Sequence, residues 1–325
     1  MKTPYTWKSS LSDILQQYIQ LQKQTGLKFE TQERYLRHFD NYHFCNGYTE
    51  INLTQPMIHD FIYDNRERPI SHRNKEIVMR DFSTYLNKHG YCSYIPVAKT
   101  IIPRCKYVPH IFTKDELARF FLAVDQYPPT LKSTRNTVDP VLFRFLYGTG
   151  TRISEALNLT IGDVDLDNGV VTILGAKNNK NRYLPMEINL AERIRKFVKS
   201  FHLFSKNETP LFPSIFSGKL KKMDKSTAYR HFRDYLLMAD IPHTANGPKI
   251  HNFRHHFAVA CLKKWVLNGN DLTNMIPYLS AYMGHSDFRG TQYYLRLTAD
   301  LYPDIISRTE AEFGFVIPEG DFEYE

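Results

Sequence analysis

Three prolines, at 96, 103 and 109, punctuate the stretch from Tyr91 to His110, YCSYIPVAKTIIPRCKYVPH, and no continuous helix can cross it. The chain has 325 residues, enough for two separate cores, so this break predicts two domains. Ahead of the break, apolar residues recur at helical spacing. Leu11, Ile14, Leu15, Tyr18 and Ile19 share one face, with Ser10 placed to cap the helix. Tyr35, Leu36 and Phe39, then Ile58, Phe61 and Ile62, then Val78, Phe82, Tyr85 and Leu86 continue the pattern. Residues 1–95 therefore read as a helical bundle, 96–110 as a linker and 111–325 as a second domain.

The second domain mixes periods. Thr113-Lys-Asp-Glu116 has the form of a capping box, opening a helix that turns Leu117, Phe120, Phe121 and Val124 inward. From Asp163 to Met186 the pattern shortens: Val164 and Leu166, the turn Asp167-Asn168-Gly169, the run Val170–Leu174, a polar loop and Tyr183–Met186 predict about three antiparallel strands. Helical spacing returns at Leu190–Phe201 and Ser226–Leu237. The polar stretch Tyr127–Asp139 and the run KKWVLNGNDLTNMIPYLSAY read as insertions. The fold class is mainly α, with a small antiparallel sheet in the second domain.

Charge narrows the range of partners. Lys and Arg outnumber Asp and Glu by 42 to 34, a net +8. Residues 310–325 hold six acids and no base, so residues 1–309 carry 8 + 6 = +14. A body this basic suits a polyanion, because each phosphate contact releases counterions. Arg34, Arg37, Arg73, Lys75 and Arg80 lie between or beside the apolar stripes and are candidate contacts for such a polyanion. No apolar run reaches the roughly 18 residues that span a bilayer, and the N-terminus has no apolar core of the signal-peptide kind. The four cysteines, Cys45, Cys92, Cys105 and Cys261, are scattered without CxxC spacing and fit a reduced compartment. A cytoplasmic protein with no membrane partner is the expectation.

Four local patterns carry chemistry. They are Gly148-Thr-Gly-Thr-Arg152-Ile-Ser-Glu155, Lys177 in the loop GAKNNKNRYLP, His251-Asn-Phe-Arg254-His255-His256-Phe-Ala, and Met283-Gly-His285-Ser-Asp with Tyr294 nine residues after the histidine. Singly, each has an ordinary reading: a surface arginine, a solvated lysine, an exposed helix face, one tyrosine among 21. His251 and His255, at i and i+4, also have a spacing that can hold zinc, but no HExxH and no nearby cysteine accompanies them.

Together, in this order, the four resemble the tyrosine recombinase (phage integrase) family along the whole chain. TGxRxSE falls at 149–155, the hairpin lysine with R-x-x-P at Lys177 and Arg182–Pro185, HxxRHxFA at 251–258, and GHS…TxxY at 284–294. The resemblance implies a helical core-binding (SAM-like) front domain and an α+β catalytic domain. It implies DNA cleavage through a 3′-phosphotyrosyl link and a Holliday junction, by a homotetramer on two double-stranded sites that is a monomer or weak oligomer when free. It implies nucleoid association as well. No metal, cofactor or ATP is expected, accessory DNA-bending proteins are optional partners, and the two insertions lean toward a mobile element.

The resemblance also implies the roles. Arg152 and Arg254 match a phosphate's charge and geometry with forked, permanently cationic donors. Tyr294 is the expected nucleophile, with Tyr293 and Tyr282 as rivals. Lys177 is the expected acid for the departing 5′ oxygen, with Lys180 in the same loop as its alternative and a candidate DNA contact. His251 moves protons for the tyrosine and His285 donates to the phosphate. Glu155 orients the cations and His255 packs in support. A type IB topoisomerase shares this chemistry, and a non-catalytic DNA-binding regulator could share the fold.

Overall fold

The computed structural model describes residues 5–26, 29–64, 66–102, 109–131, 133–174, 181–244, 247–285, 291 and 293–295. It divides into two compact units, Met1–Lys106 and Tyr107–Glu325.

The first unit holds four helices, α1 (Ser12–Gln24), α2 (Glu30–Cys45), α3 (Gln55–Ile62) and α4 (Pro69–Lys88). The apolar stripes meet in one core, with Leu15, Leu36, Phe39, Ile58, Met79, Phe82 and Leu86 buried. Ser10 does not cap α1. The Ser9 hydroxyl takes the Leu11 N–H at 3.2 Å instead, and buried Asp40 on α2 accepts from the Ser9 hydroxyl at 2.6 Å and its N–H at 3.0 Å. A buried carboxylate holding several donors outcompetes a solvated serine. A second buried acid, Glu76 on α4, accepts from the Tyr63 hydroxyl at 2.7 Å and from the hydroxyl and N–H of Thr100 at 2.6 and 3.0 Å. The chain from Tyr94 to Thr100 thus packs on the bundle rather than running free from residue 96.

The second unit begins with α5 (Lys114–Asp125), whose Thr113–Glu116 capping box forms in both directions. It continues with α6 (Arg135–Thr149), the single turn α7 (Ile153–Ala156), strands β1 (Val164–Asp165), β2 (Val170–Ile173) and β3 (Arg182–Pro185), then α8 (Ile188–Phe201). The three strands are antiparallel in the order β1-β2-β3, with Ile173 opposite Arg182. Gly169 in the first turn has φ +66, in the left-handed region that glycine tolerates. A hairpin that periodicity does not announce, β4 (Pro213–Phe216) and β5 (Lys219–Lys222), precedes α9 (Lys225–Met238), α10 (His251–Leu267) and α11 (Leu272–Met283).

An aromatic core joins these elements through Phe120, Phe143, Phe145, Phe212, Phe232, Tyr235 and Phe253, all buried. The stretch Tyr127–Asp139 is not a simple polar insertion. Its last five residues open α6, and Arg135 is buried with its guanidinium on the Tyr235 hydroxyl at 2.9 Å and Asp234 at 2.8 Å. A smaller cluster, Ala258, Leu262, Leu272, Leu279, Met283 and Tyr294, binds α11 and the tyrosine segment to α10.

Candidate active site

The site is assembled where α6 breaks. Gly150 ends that helix at φ +60, and a Cβ there would lie 2.6 Å from the Phe257 ring, so only glycine lets the chain pass. The Thr149 hydroxyl donates back to Phe145 O at 2.7 Å and lies 3.1 Å from the Thr151 hydroxyl, fixing the turn. Arg152 then stands in extended conformation at the start of α7. Its N–H meets Glu155 Oε2 at 3.0 Å, its Nη1 meets Oε1 at 2.8 Å, and its Nη2 reaches the Gly284 carbonyl at 3.4 Å.

Arg254 approaches from α10. It is 2% exposed and donates from Nη1 to Gly150 O at 2.9 Å and from Nη2 to Met283 O at 2.6 Å. The two arginines therefore converge on the consecutive carbonyls of Met283 and Gly284. Burial, then the Arg152 charge, push the Arg254 pKa down to about 10, which still leaves it cationic at neutral pH.

Arg254 Nη2 also lies 3.0 Å from His285 Nε2. A guanidinium cannot accept, so Nε2 accepts and the imidazole proton sits on Nδ1, which donates to the Thr291 hydroxyl at 2.9 Å. In this arrangement His285 accepts from Arg254.

Tyr294 is 4% exposed. Its ring lies parallel to His285 with centroids 5.9 Å apart and 5.4 Å from His255. Burial raises its pKa, while the charge of Arg254, a hydrogen bond to it and the charge of Arg152 pull the other way. Tyr293, 39% exposed, faces outward, and Tyr282 stacks on Phe257 with its hydroxyl on Pro185 O at 3.3 Å. Tyr294 is drawn to Arg254 and Arg152.

The histidines divide by depth. His255 is buried against Tyr294, its Nδ1 without a hydrogen bond among the described residues, and burial followed by the charges of His251 and Arg254 lowers its pKa to about 4. His251 meets the His255 ring edge-on at 4.8 Å and keeps an edge exposed to solvent. The protein packed around it, then Arg254 and Arg152, lower its pKa, and the exposed edge tempers the shift. Among the described residues, no three of His, Cys, Asp or Glu form a metal-binding group. Lys177 and Lys180 lie outside the described residues.

Residues 110–300 match the phage integrase family. The chain belongs to that family. It is 27% identical to an integrase/recombinase-like protein, y4rB, of Sinorhizobium fredii over 93% of this chain and 98% of that one. It is also 27% identical to the tyrosine recombinase XerA of Thermococcus kodakarensis over 74% of this chain and 76% of that one. In fold it resembles the XerH site-specific recombinase bound to a palindromic difH substrate, with TM-score 0.60 and 21% identity over 86% of this chain and 79% of that one. The Tn1549 transposon integrase in complex with a circular intermediate DNA gives 0.61 and 15% over 88% and 95%.

This recombinase is thus an enzyme of DNA strand cleavage and rejoining. Its expected DNA contacts on the first unit are not equivalent. Arg34 is exposed, with its guanidinium 5.4 Å from the Tyr35 ring centre. Arg37 pairs with Glu33, Arg73 lies 3.7 Å from Glu76, and Arg80 is half-buried. Lys75 is a correction. Its ammonium is buried, donating to Phe61 O at 2.7 Å, pairing with Glu67 at 2.8 Å and lying 4.3 Å from the Phe61 ring centre, so it fastens α4 to α3. Spacing alone cannot separate a snorkelling lysine from a consumed one. Sequence reasoning gave no role to Thr291 or to the guanidinium of Arg182; the quoted R-x-x-P was the available signal for the latter.

Proposed function

We propose that Tyr294 is the nucleophile of a site-specific recombination reaction, held by Arg254 and aimed at a phosphate gripped by Arg152 and Arg254. The observation that carries this reading is the convergence of both guanidiniums on the 283–284 carbonyls, with the buried phenol hydrogen-bonded to one of them. Main-chain carbonyls are weak partners for two cations, and a phosphodiester would be a stronger one.

In the proposed cycle the Tyr294 oxygen attacks phosphorus in line. The new O–P bond forms as the P–O5′ bond breaks. The phenol proton passes to His251, which the depressed pKa keeps neutral at pH 7 and able to accept it. Lys177 supplies a proton to the departing 5′ oxygen, with Lys180 as the alternative donor from the same loop. The arginines carry the charge that builds on the non-bridging oxygens, a term worth roughly 3 to 4 kcal/mol per lost donor. His285 can donate to that phosphate only after Nε2 gains a proton or the tautomer changes. The released 5′ hydroxyl of a partner duplex then reverses the attack, so ester energy is conserved and the steps call for neither ATP nor metal. Four protomers on two sites would exchange strands through a junction. The segment from residue 296 onward, with Leu297, Leu301, Ile305, Ile306 and Phe313, lies outside the described residues and would pack either in cis or on a neighbouring protomer.

The test needs no known target. A pool of random-sequence duplexes, each nicked so that the released 5′-hydroxyl fragment diffuses away, should leave a denaturant-stable protein–DNA adduct that selects its own site. Tyr293→Phe should retain the adduct and Tyr294→Phe should lose it. An adduct with Tyr294→Phe would overturn the assignment, and none with the unmodified protein would favour a non-catalytic DNA-binding protein. Deletion or inversion between two recovered sites on a plasmid separates recombination from topoisomerase-like relaxation.

A further inference from the structure

Arg182, the first residue of β3, has its donors committed inside the site. Its side chain is 9% exposed. Nη2 donates to Glu155 Oε2 at 2.8 Å, Nη1 to Oε1 at 3.3 Å, and Nε to the Tyr282 carbonyl at 2.8 Å. The same carboxylate receives Arg152 through Nη1 and the backbone N–H. The guanidinium also lies under Gly284, where a Cβ would stand 2.7 Å from Nη1, and the glycine holds φ +67. Just there the chain presents the carbonyls that Arg254 and Arg152 reach, and it continues into His285.

We propose that Arg182 is a positioning residue: by clamping Glu155 and the 282–284 turn together, it sets the aim of Arg152 and the placement of His285, and ties both to the β2–β3 hairpin. The idea rests on the active-site reading above. Arginine is needed because three N–H groups in one plane must serve a carboxylate and a carbonyl at once, and a lysine's single nitrogen cannot span them. Ile173 lies opposite Arg182 in the ladder, so the clamp anchors the root of the loop that carries Lys177. The groups acting on Glu155 are Arg182 and Arg152 in direct contact, and Glu155 is in turn felt by Arg254 and His251.

Arg182→Lys keeps the charge and breaks the fork. On the nicked duplex selected above, at saturating DNA, it should slow adduct formation on the order of 10-fold to 100-fold with DNA affinity little changed. Its rate should also fall at a higher pH on the acid side than that of the unmodified protein, because Glu155 loses its strongest stabiliser. A Glu155→Gln background should abolish that difference, separating it from His251. A second readout uses no DNA: carboxyl NMR should show Glu155 titrating higher in Arg182→Lys. Unchanged cleavage at saturation, or a loss matched by melting with the pH profile and the Glu155 titration unmoved, would overturn the proposal. If Glu155 shifts while even the unmodified protein makes no adduct, the clamp stands and the catalytic reading above is what fails.

Discussion

The Glu155 carboxylate accepts from two guanidiniums and one backbone N–H while its side chain is 8% exposed, so its proton affinity reports the whole arrangement. Burial alone raises its pKa. The hydrogen bond and charge of Arg182, then the contacts of Arg152, overcome that and bring it to about 2, from an ordinary 4.5. A pKa lower in the folded than in the unfolded state adds stability that is complete above about 4.5 and lost as pH falls toward about 2. At 1.36 kcal/mol per pH unit the contribution is about 3 kcal/mol. Glu155→Gln should therefore destabilise the protein at pH 7 by that order, and the gap in chemical denaturation should close as both proteins are taken from pH 5 toward pH 2. A gap independent of pH would mean that the ionised carboxylate is not what holds the arginines. At this same scale Lys75 has the opposite lesson: a cation among cations in the sequence proves to be a buried peg.

Among the elements, the helix caps test how far local sequence dictates structure. Thr113 accepts the Glu116 N–H at 3.1 Å and Glu116 accepts the Thr113 N–H at 2.8 Å. Thr113→Ala should cost about 1 kcal/mol, read as a lower midpoint in chemical denaturation, while adduct formation on the nicked duplex stays unchanged. That cap was legible because both partners lie within four residues. The stripes of α1 to α5 and the strands β1 to β3 were legible for a related reason, since one buried face imposes a period. Ser10 failed as a cap because its competitor, Asp40, lies far along the chain on α2. The β4–β5 hairpin has no buried face to write an alternation, for its second strand is exposed throughout. Helix α10 is buried on several sides, through Phe253, Arg254, His255, Ala258 and Leu262, so its stripe dissolves; the HxxRH pattern located it instead. The residue types and spacings that bring Arg152, Arg254, His285 and Tyr294 together were thus readable in the sequence, whereas the proposed clamp at Arg182 depends on a turn 100 residues away.

For the molecule as a whole the governing quantity is charge. The sum of +8 conceals +14 on residues 1–309 and −6 on residues 310–325. DNA binding by a basic surface gains from counterion release, and a covalently attached acidic segment competes for that surface at a high local concentration. Both effects weaken with salt, because the screening length is about 10 Å at 0.1 M and shorter above it. Converting the six acids of 310–325 to their amides raises the net charge to +14 without shortening the chain. The variant should bind random-sequence duplex more tightly at low salt, and the two binding curves should converge as salt rises, with anisotropy titrations as the measurement. Because the acids add no phosphate contacts of their own, the adduct rate at saturating DNA should stay the same. Equal affinities at every salt concentration would show that the acids lie beyond electrostatic reach of the DNA-binding surface. Weaker binding by the amide variant would show that they support that surface rather than compete for it.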